Sequence, residues 1–117
     1  MLSRSDTDTR NDRIGFPTAV EEVTPRPGEL IRPQDTITVD LRDGLSGSLF
    51  IDGKPVPDDQ LDFVKPLSQI SFRPGPSKDL TRFEPGEHSA TVHYWVGPQS
   101  SPPANPGTYS WRFRVGA

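Results

Sequence analysis

The chain has 117 residues, of which 31 % are hydrophobic, and its formal net charge is −3. This length accommodates one domain with a modest core. The 13 basic residues are scattered, so the electrostatic footprint of a nucleic-acid-binding protein is absent. The chain has no cysteine, which excludes disulfides and thiolate metal sites. No stretch approaches the roughly 18 apolar residues of a membrane span.

Residues 1–13, MLSRSDTDTRNDR, carry arginine and aspartate and contain almost nothing to bury. This composition predicts a polar arm, and we expect Ile14 and Phe16 in the lead-in to attach that arm to a sheet. The segment has no apolar signal-peptide core, so either the protein stays where it is made or an export or anchor segment has been removed. We divide the chain into an arm with its lead-in, residues 1–19, and a folded domain, residues 20–117.

Short stretches that alternate apolar and polar residues follow, and each predicts a strand with one buried face. In chain order they are VEEV, TITVDLR, SLFI, KPV, QISF, SATVHYWV and TYSWRFRV. Asp52-Gly53 separates two of them and predicts a two-residue hairpin turn, since both residues tolerate positive φ. Four Pro-Gly pairs, which begin at Pro27, Pro74, Pro85 and Pro106, suit type II turns between strands.

Helix is scarce in this pattern. PDDQLDFVK predicts a turn or two of helix and SKDLTRF one further turn. GPQSSPPANPG predicts an exposed, proline-rich loop between the last two strands. Because no long helices are available to cover the strands, about seven short strands must cover one another. The sequence therefore predicts an all-β fold, an antiparallel β-sandwich.

Strand parity assigns the core-facing residues. Alternate residues of a strand share a face, and the larger apolar residues identify which face is buried. The predicted core residues are Ile37, Val39, Leu41, Ile70, Phe72, Val92, Tyr94, Tyr109, Trp111 and Phe113.

The same parity turns His93 and Trp95 outward. If the last two strands pair antiparallel, Arg112 and Arg114 share that face. The cluster has two interpretations: an intramolecular arginine–tryptophan stack, worth ~0.5–1 kcal/mol, or a binding surface, since both residue types are enriched at interface hot spots. Phe50 is a further outward aromatic. The predicted interaction residues are thus Trp95, His93, Arg112, Arg114, Phe50 and Phe16.

Neither histidine predicts a metal site or a catalytic base. His88 has inward parity at a strand corner, where we expect it to bond nearby backbone. His93 faces outward and lacks a third metal ligand nearby. GLSGS at residues 44–48 lacks the final glycine of a nucleophile elbow. We expect no catalytic residue, no metal and no cofactor, and hence no enzyme.

Five segments carry a resemblance to a known family: TPRPGELIRPQDTITVDL, LFIDGKPV, QISFRP, FEPGEHSATVHYWV and YSWRFRV. Together they resemble the bacterial Ig-like domains, in particular the group that includes the copper-resistance periplasmic carrier and the modules of surface-layer and envelope proteins. The resemblance covers most of the chain and implies an Ig-like β-sandwich with Trp111 and Phe113 as a core pair in its last strand. These motifs specify a fold, which supports many activities.

This chain departs from the copper carriers at the residues that bind copper. The resemblance implies a histidine at the mature amino terminus and further histidine or methionine ligands. Here Met1 is the sole methionine, the arm has no histidine, and His88 and His93 are the only histidines. A metal carrier is therefore the least supported hypothesis.

The leading hypothesis is a non-catalytic Ig-like module that acts by protein–protein contact, with a partner or a second copy, through the arm and the outward face. Two settings fit: the extracytoplasmic domain of a bacterial envelope protein, or a phage virion component such as a head-decoration or tail protein. A carbohydrate-binding module, with Trp95 or Tyr94 stacked on a sugar ring, is the alternative from another class. We expect no nucleic-acid partner and no direct membrane insertion.

Overall fold

The computed structural model describes residues 17–116, and nine strands in this range form two sheets. The four-stranded sheet contains, in spatial order, β1 (Val20–Thr24), β3 (Ile37–Leu41), β7 (Gln69–Phe72) and β6 (Asp62–Val64). The five-stranded sheet contains β2 (Leu30–Ile31), β9 (Gly107–Val115), β8 (Gly86–Val96), β4 (Leu45–Ile51) and β5 (Lys54–Pro55). The predicted all-β sandwich is confirmed, with β2 and β6 as strands that the pattern did not predict.

All strand pairs are antiparallel except β2 with β9, which is parallel. The first described strand lies in the four-stranded sheet, and the chain crosses to the five-stranded sheet between β1 and β2. Pro27-Gly28 makes a turn in this crossing: the Glu29 N–H donates to the Arg26 carbonyl at 2.9 Å, and Gly28 has a φ of 83°. Positive φ at the third residue is what a type II turn requires.

Burial follows parity in the central strands. In β9, Trp111 and Phe113 are buried and the residues between and beside them are exposed. Eight of the ten predicted core residues are buried, while Tyr94 and Tyr109 are half-buried against the core. Phe83, in the segment before β8, is fully buried and packs edge-on against Phe113 with ring centroids 5.9 Å apart. Parity could not assign Phe83, because it lies outside any strand.

The hairpin between β4 and β5 forms at the predicted residues. Asp52 and Gly53 have φ values of 52° and 82°, and Ile51 pairs with Lys54 on either side of them. Two consecutive residues of positive φ match the twist of the flanking strands, as in a type I′ turn.

The predicted helical turn after this hairpin is cut short. A 3-10 helix spans Asp58–Gln60, a second spans Lys65–Leu67, and β6 lies between them. Phe63 packs against the core from β6, and pairing with β7 supplies the backbone hydrogen bonds that a longer helix would have made internally. Neither 3-10 helix of residues 17–116 has the length or hydropathy of a membrane-spanning segment.

Gly47 lies on the inward face of β4, where the two sheets meet. A Cβ at this position would lie 2.7 Å from Ile70 Cδ1 and 2.7 Å from the carbonyl oxygen of His93. Glycine therefore permits the approach of the sheets at this point.

Residues 17–19, which we assigned to the lead-in, pack on the sandwich. Ala19 is 9 % exposed, and its carbonyl accepts a hydrogen bond from the Arg42 N–H at 2.8 Å. Phe16 and Ile14, the residues predicted to attach the arm, lie outside the described residues.

Candidate functional site

Trp95 lies on the outward side of β8, but its side chain is covered. The residue is 6 % exposed, and its indole Nε1 donates to the carbonyl of Pro98 at 2.9 Å. The prediction that Trp95 is exposed is therefore wrong. Parity specifies the direction of a side chain and not what covers it, and here the loop that follows β8 lies over the indole.

Two side chains hold that loop on β4. The Ser46 hydroxyl donates to the Gly97 carbonyl at 2.7 Å. The Gln99 side-chain amide accepts a hydrogen bond from the Gly47 N–H at 3.0 Å and donates to the Gly47 carbonyl. Gln99 thereby satisfies main-chain groups at the edge of β4 that β5 leaves unpaired, since β5 pairs only with Phe50 and Ile51. The loop is exposed along most of its length, as predicted, and its beginning is fixed to the sheet.

Arg112 and Arg114 do not join Trp95. The register of β8 with β9 places Arg112 opposite Ser89 and Arg114 opposite Glu87. Ser89 is six residues from Trp95 along β8, roughly 20 Å at the rise of a strand. Arg112 is instead paired with Glu87 at 3.3 Å, with both side chains largely exposed. The predicted aromatic–cationic cluster does not form, because the antiparallel register carries the two arginines to the other end of the strand.

Phe50 and His93 do lie together on the outward face of the five-stranded sheet. Their ring centroids are 4.4 Å apart, and both side chains are half-buried. Thr91 lies opposite Phe50 on β8, and its hydroxyl contacts the Ser110 hydroxyl on β9 at 2.7 Å. We call these four residues, Phe50, Thr91, His93 and Ser110, the sheet-face patch. It keeps two of the six predicted interaction residues.

His88 forms a polar corner at the opposite end of β8. Its Nδ1 lies 2.6 Å from Asp52 Oδ2, its Nε2 lies 2.6 Å from the Glu84 carbonyl, and its side chain is 14 % exposed. Asp52 Oδ1 also accepts the Ser89 N–H at 2.9 Å. Burial lowers the pKa of His88. The hydrogen bonds to the Asp52 carboxylate and the Glu84 carbonyl, together with the negative charges of the Asp52 and Glu84 side chains, outweigh this effect and raise the pKa above the ordinary 6.5. The expected backbone bond of His88 is present, while its ion pair with Asp52 was not predicted.

A shallow groove of about 330 Å³ opens beside this corner, between the β4–β5 hairpin and the loop after β7. Its apolar wall includes Val56, Phe72 and Leu80, and Asp52 and Asp79 lie at its rim. Asp52 is already bonded to His88 and Ser89, so its carboxylate is engaged within the protein.

The described part of the chain contains no group of three or more His, Cys, Asp or Glu side chains placed to hold a metal ion. Both ring nitrogens of His88 already face acceptors, and His93 packs against Phe50. The two histidines lie on opposite faces of β8, so they cannot share a metal.

Comparison with solved structures places the fold among known β-sandwiches. PcoC, a methionine-rich copper resistance protein from Escherichia coli, is similar over 82 % of this chain and 95 % of its own, with a TM-score of 0.55 and 11 % identity. Its selenomethionine form is similar over 82 % and 97 %, with a TM-score of 0.55 and 10 % identity. An endo-beta-1,4-mannanase from Thermotoga petrophila is similar over 81 % of this chain and 20 % of its own, with a TM-score of 0.55 and 14 % identity. No protein-family model and no curated protein sequence matches the chain.

These similarities confirm the predicted fold-level resemblance to the copper-resistance carrier group. At these identities they describe the fold alone. PcoC is named as methionine-rich, whereas this chain has one methionine. The chain is thus a β-sandwich module of the same architecture as these proteins, with its own surface residues.

Proposed function

We propose that this chain is a non-catalytic Ig-like module that acts by contact with another protein, as the extracytoplasmic domain of a bacterial envelope protein. The observation that carries the proposal is the sheet-face patch. It combines an aromatic pair, Phe50 and His93, with hydroxyl groups, and an ion pair of Arg112 with Glu87 lies beyond it on the same face. An aromatic centre with a polar rim is the composition of protein–protein interfaces.

The fold supports a module within a longer protein. The similar structures include a copper resistance protein from a bacterium and a segment of a larger bacterial mannanase. A sandwich of this kind therefore occurs as a module within longer proteins. We do not extend the proposal to sugar binding, because Trp95 is covered by its loop and Tyr94 faces the core.

The proposal is tested by comparing two charge-introducing variants on opposite sides of the sandwich. The immobilised chain is exposed to a detergent extract of cell envelopes from the organism that carries the gene, and bound proteins are identified by mass spectrometry. Phe50→Asp changes the sheet-face patch, and Val64→Asp changes an apolar residue of the other sheet that is 39 % exposed.

We expect a reproducible partner to be lost with Phe50→Asp and retained with Val64→Asp, with unchanged circular dichroism for both variants. Capture that does not distinguish the two variants, or the absence of any partner of the unmodified chain, would contradict the proposal.

A further inference from the structure

His88 links three parts of the fold that are separate in sequence. Its Nδ1 lies 2.6 Å from Oδ2 of Asp52, in the β4–β5 turn, and its Nε2 lies 2.6 Å from the carbonyl oxygen of Glu84, just before β8. Its ring also stacks on that of Phe113 in β9, with centroids 5.9 Å apart and an interplanar angle of 23°. The His88 side chain is 14 % exposed, so the ring is held mainly by contacts within the protein.

Both polar partners of the His88 ring are hydrogen-bond acceptors. A carboxylate and a main-chain carbonyl have no proton to donate, whereas a neutral imidazole has one N–H group and one lone pair. Only the imidazolium form, which has two N–H groups, donates to both acceptors at once. Loss of its proton therefore places a lone pair against an oxygen atom at one of the two contacts.

The two contacts differ in strength. The bond to Asp52 joins a donor to a charged carboxylate, and charge-assisted bonds are about twice as strong as those between neutral groups. Asp52 is also fixed to β8, since its Oδ1 accepts the Ser89 N–H at 2.9 Å and its own N–H donates to the Ser89 carbonyl at 2.9 Å. We therefore expect neutral His88 to keep its proton on Nδ1, toward Asp52, and to lose its contact with the Glu84 carbonyl.

The Glu84 carbonyl anchors the segment before β8, residues 80–85. Within this segment Phe83 is fully buried, and its ring packs edge-on against that of Phe113. The Phe83 N–H donates to the Pro33 carbonyl at 2.8 Å. A break at Glu84 therefore weakens the attachment of a segment that carries a core aromatic residue.

We propose that His88 is a proton-controlled latch on the segment before β8: the imidazolium holds the Glu84 carbonyl, and the neutral ring keeps Asp52 and releases Glu84. Leu80, in the same segment, belongs to the apolar wall of the groove beside the β4–β5 hairpin. The latch therefore changes the shape of this groove as pH rises. It lies on the other face of β8 from His93 and does not depend on the proposed function.

The charged groups that face the ring come from two elements. Among the described residues they are the side chains of Asp52 and Glu84, and both favour the imidazolium. β9 presents the Phe113 ring, while Arg112 and Glu87 pair with each other on the opposite face of β8. Burial lowers the pKa of His88, but its hydrogen bonds and these charges raise it above 6.5. The latch is thus closed in acidic solution and opens as pH rises through that raised pKa.

The first measurement follows the ring itself in the full chain. The ¹⁵N resonances of Nδ1 and Nε2 report which ring nitrogen of His88 carries a proton at each pH. We expect both nitrogens to be protonated at about pH 5.5 and only Nδ1 at about pH 8.5. A neutral ring with its proton on Nε2 would overturn the proposal, because that tautomer keeps the Glu84 contact.

Amide hydrogen exchange over the same pH range locates the release. Protection factors, which correct each rate for the intrinsic pH dependence of exchange, should fall roughly tenfold or more at Phe83, the effect of about one hydrogen bond to a charged group. Ser89, whose N–H is held by Asp52, should keep its protection. The Leu80 methyl resonances should shift with the same midpoint as the His88 ring. Constant protection of Phe83, an equal loss at Ser89, or Leu80 resonances that do not move would each contradict the proposal.

Asp52→Asn and Glu84→Gln are matched variants, since each replaces a carboxylate by an amide of the same shape. The asparagine oxygen still accepts the Ser89 N–H, and its amide nitrogen donates to Nδ1, so neutral His88 then donates from Nε2 to the Glu84 carbonyl. We expect Phe83 protection to become independent of pH in Asp52→Asn. Glu84→Gln removes a negative charge and keeps the carbonyl, so the transition should remain and move to lower pH.

Two results with these variants would rule out the latch: a Phe83 amide that stays pH-dependent in Asp52→Asn, or one that loses its pH dependence in Glu84→Gln. Both variants are measured on the chain alone, without a partner. The envelope-extract experiment is therefore unaffected by their outcome, and the two proposals are tested separately.

Discussion

His88 illustrates how one side chain is placed by groups far apart in sequence. Its two ring nitrogens face the Asp52 carboxylate and the Glu84 carbonyl, both acceptors, each at 2.6 Å. Both contacts are satisfied at once only when both nitrogens carry a proton, which is the imidazolium form. Asp52 in turn belongs to the β4–β5 turn, so the ion pair joins that turn to the beginning of β8.

This geometry predicts that stability falls as pH rises through neutrality. The pKa of His88 in the folded chain is raised above 6.5, so folding favours the protonated form. The stabilising contribution is fully present below the unfolded pKa and is lost as pH rises through the folded pKa. We expect the free energy of unfolding, measured by urea titration, to be higher at about pH 6 than at about pH 8.5 for this reason.

Asp52→Asn is the matched control, because asparagine also tolerates the positive φ at this position. We expect the variant to lose most of the pH dependence between these two conditions. An unchanged pH dependence in Asp52→Asn would show that another group is responsible.

At the scale of elements, the loop after β8 determines which surface the protein presents. It covers Trp95 through the bond to Pro98 and is held to β4 by Ser46 and Gln99. The outward aromatic surface is therefore formed by Phe50 and His93 instead. Neither the covering loop nor the Gln99 contact is visible in the strand pattern, because Gly47 and Gln99 are 52 residues apart.

We expect Gln99→Ala to release this loop and expose the indole of Trp95. The substitution removes two hydrogen bonds to the Gly47 main chain and should cost about 1–3 kcal/mol of stability. Acrylamide quenching of tryptophan fluorescence should increase relative to the unmodified chain. Ser101→Ala, an exposed position in the same loop, is the control. If quenching is the same in both variants, the Gln99 contact does not hold the loop in place.

At the scale of the whole molecule, the core of residues 17–116 includes Ala19 and joins both sheets. Its side chains come from β1, β2, β3, β4, β7, β8 and β9, together with Ala19 and Phe83, which lie outside the strands. The polar residues 1–13 contribute little that a core requires. Ala19, which we assigned to the lead-in, belongs to this core.

Two truncations test the boundary of the folded domain. Removing residues 1–13 should change the melting temperature by less than a few degrees, because the described core remains complete. Removing residues 1–19 should lower it clearly, since it deletes the buried Ala19 and its bond to Arg42. Calorimetry of both truncated chains distinguishes the cases. A large loss of stability from the shorter truncation would mean that the arm packs on the sandwich.

Much of the fold was predictable because its signals are local. Alternation identified most of the strands, Asp52-Gly53 identified the hairpin turn, and the last strand carried the aromatic pair Trp111 and Phe113. β6 was missed because its three residues follow a helix-like acidic turn, and only pairing with β7 makes them a strand. Phe50 and His93, two of the proposed contact residues, lie together because β4 pairs with β8. Their contact could not be predicted from the strand pattern, since that pattern does not say which strands pair.

The amino-acid sequence by itself determined the all-β architecture and the inward faces of the central strands, because side-chain direction along a strand repeats every second residue. Tertiary structure alone decided which outward residues reach solvent. That property depends on the register between strands and on where a loop returns: the register separates Arg112 from Trp95, and the returning loop covers Trp95.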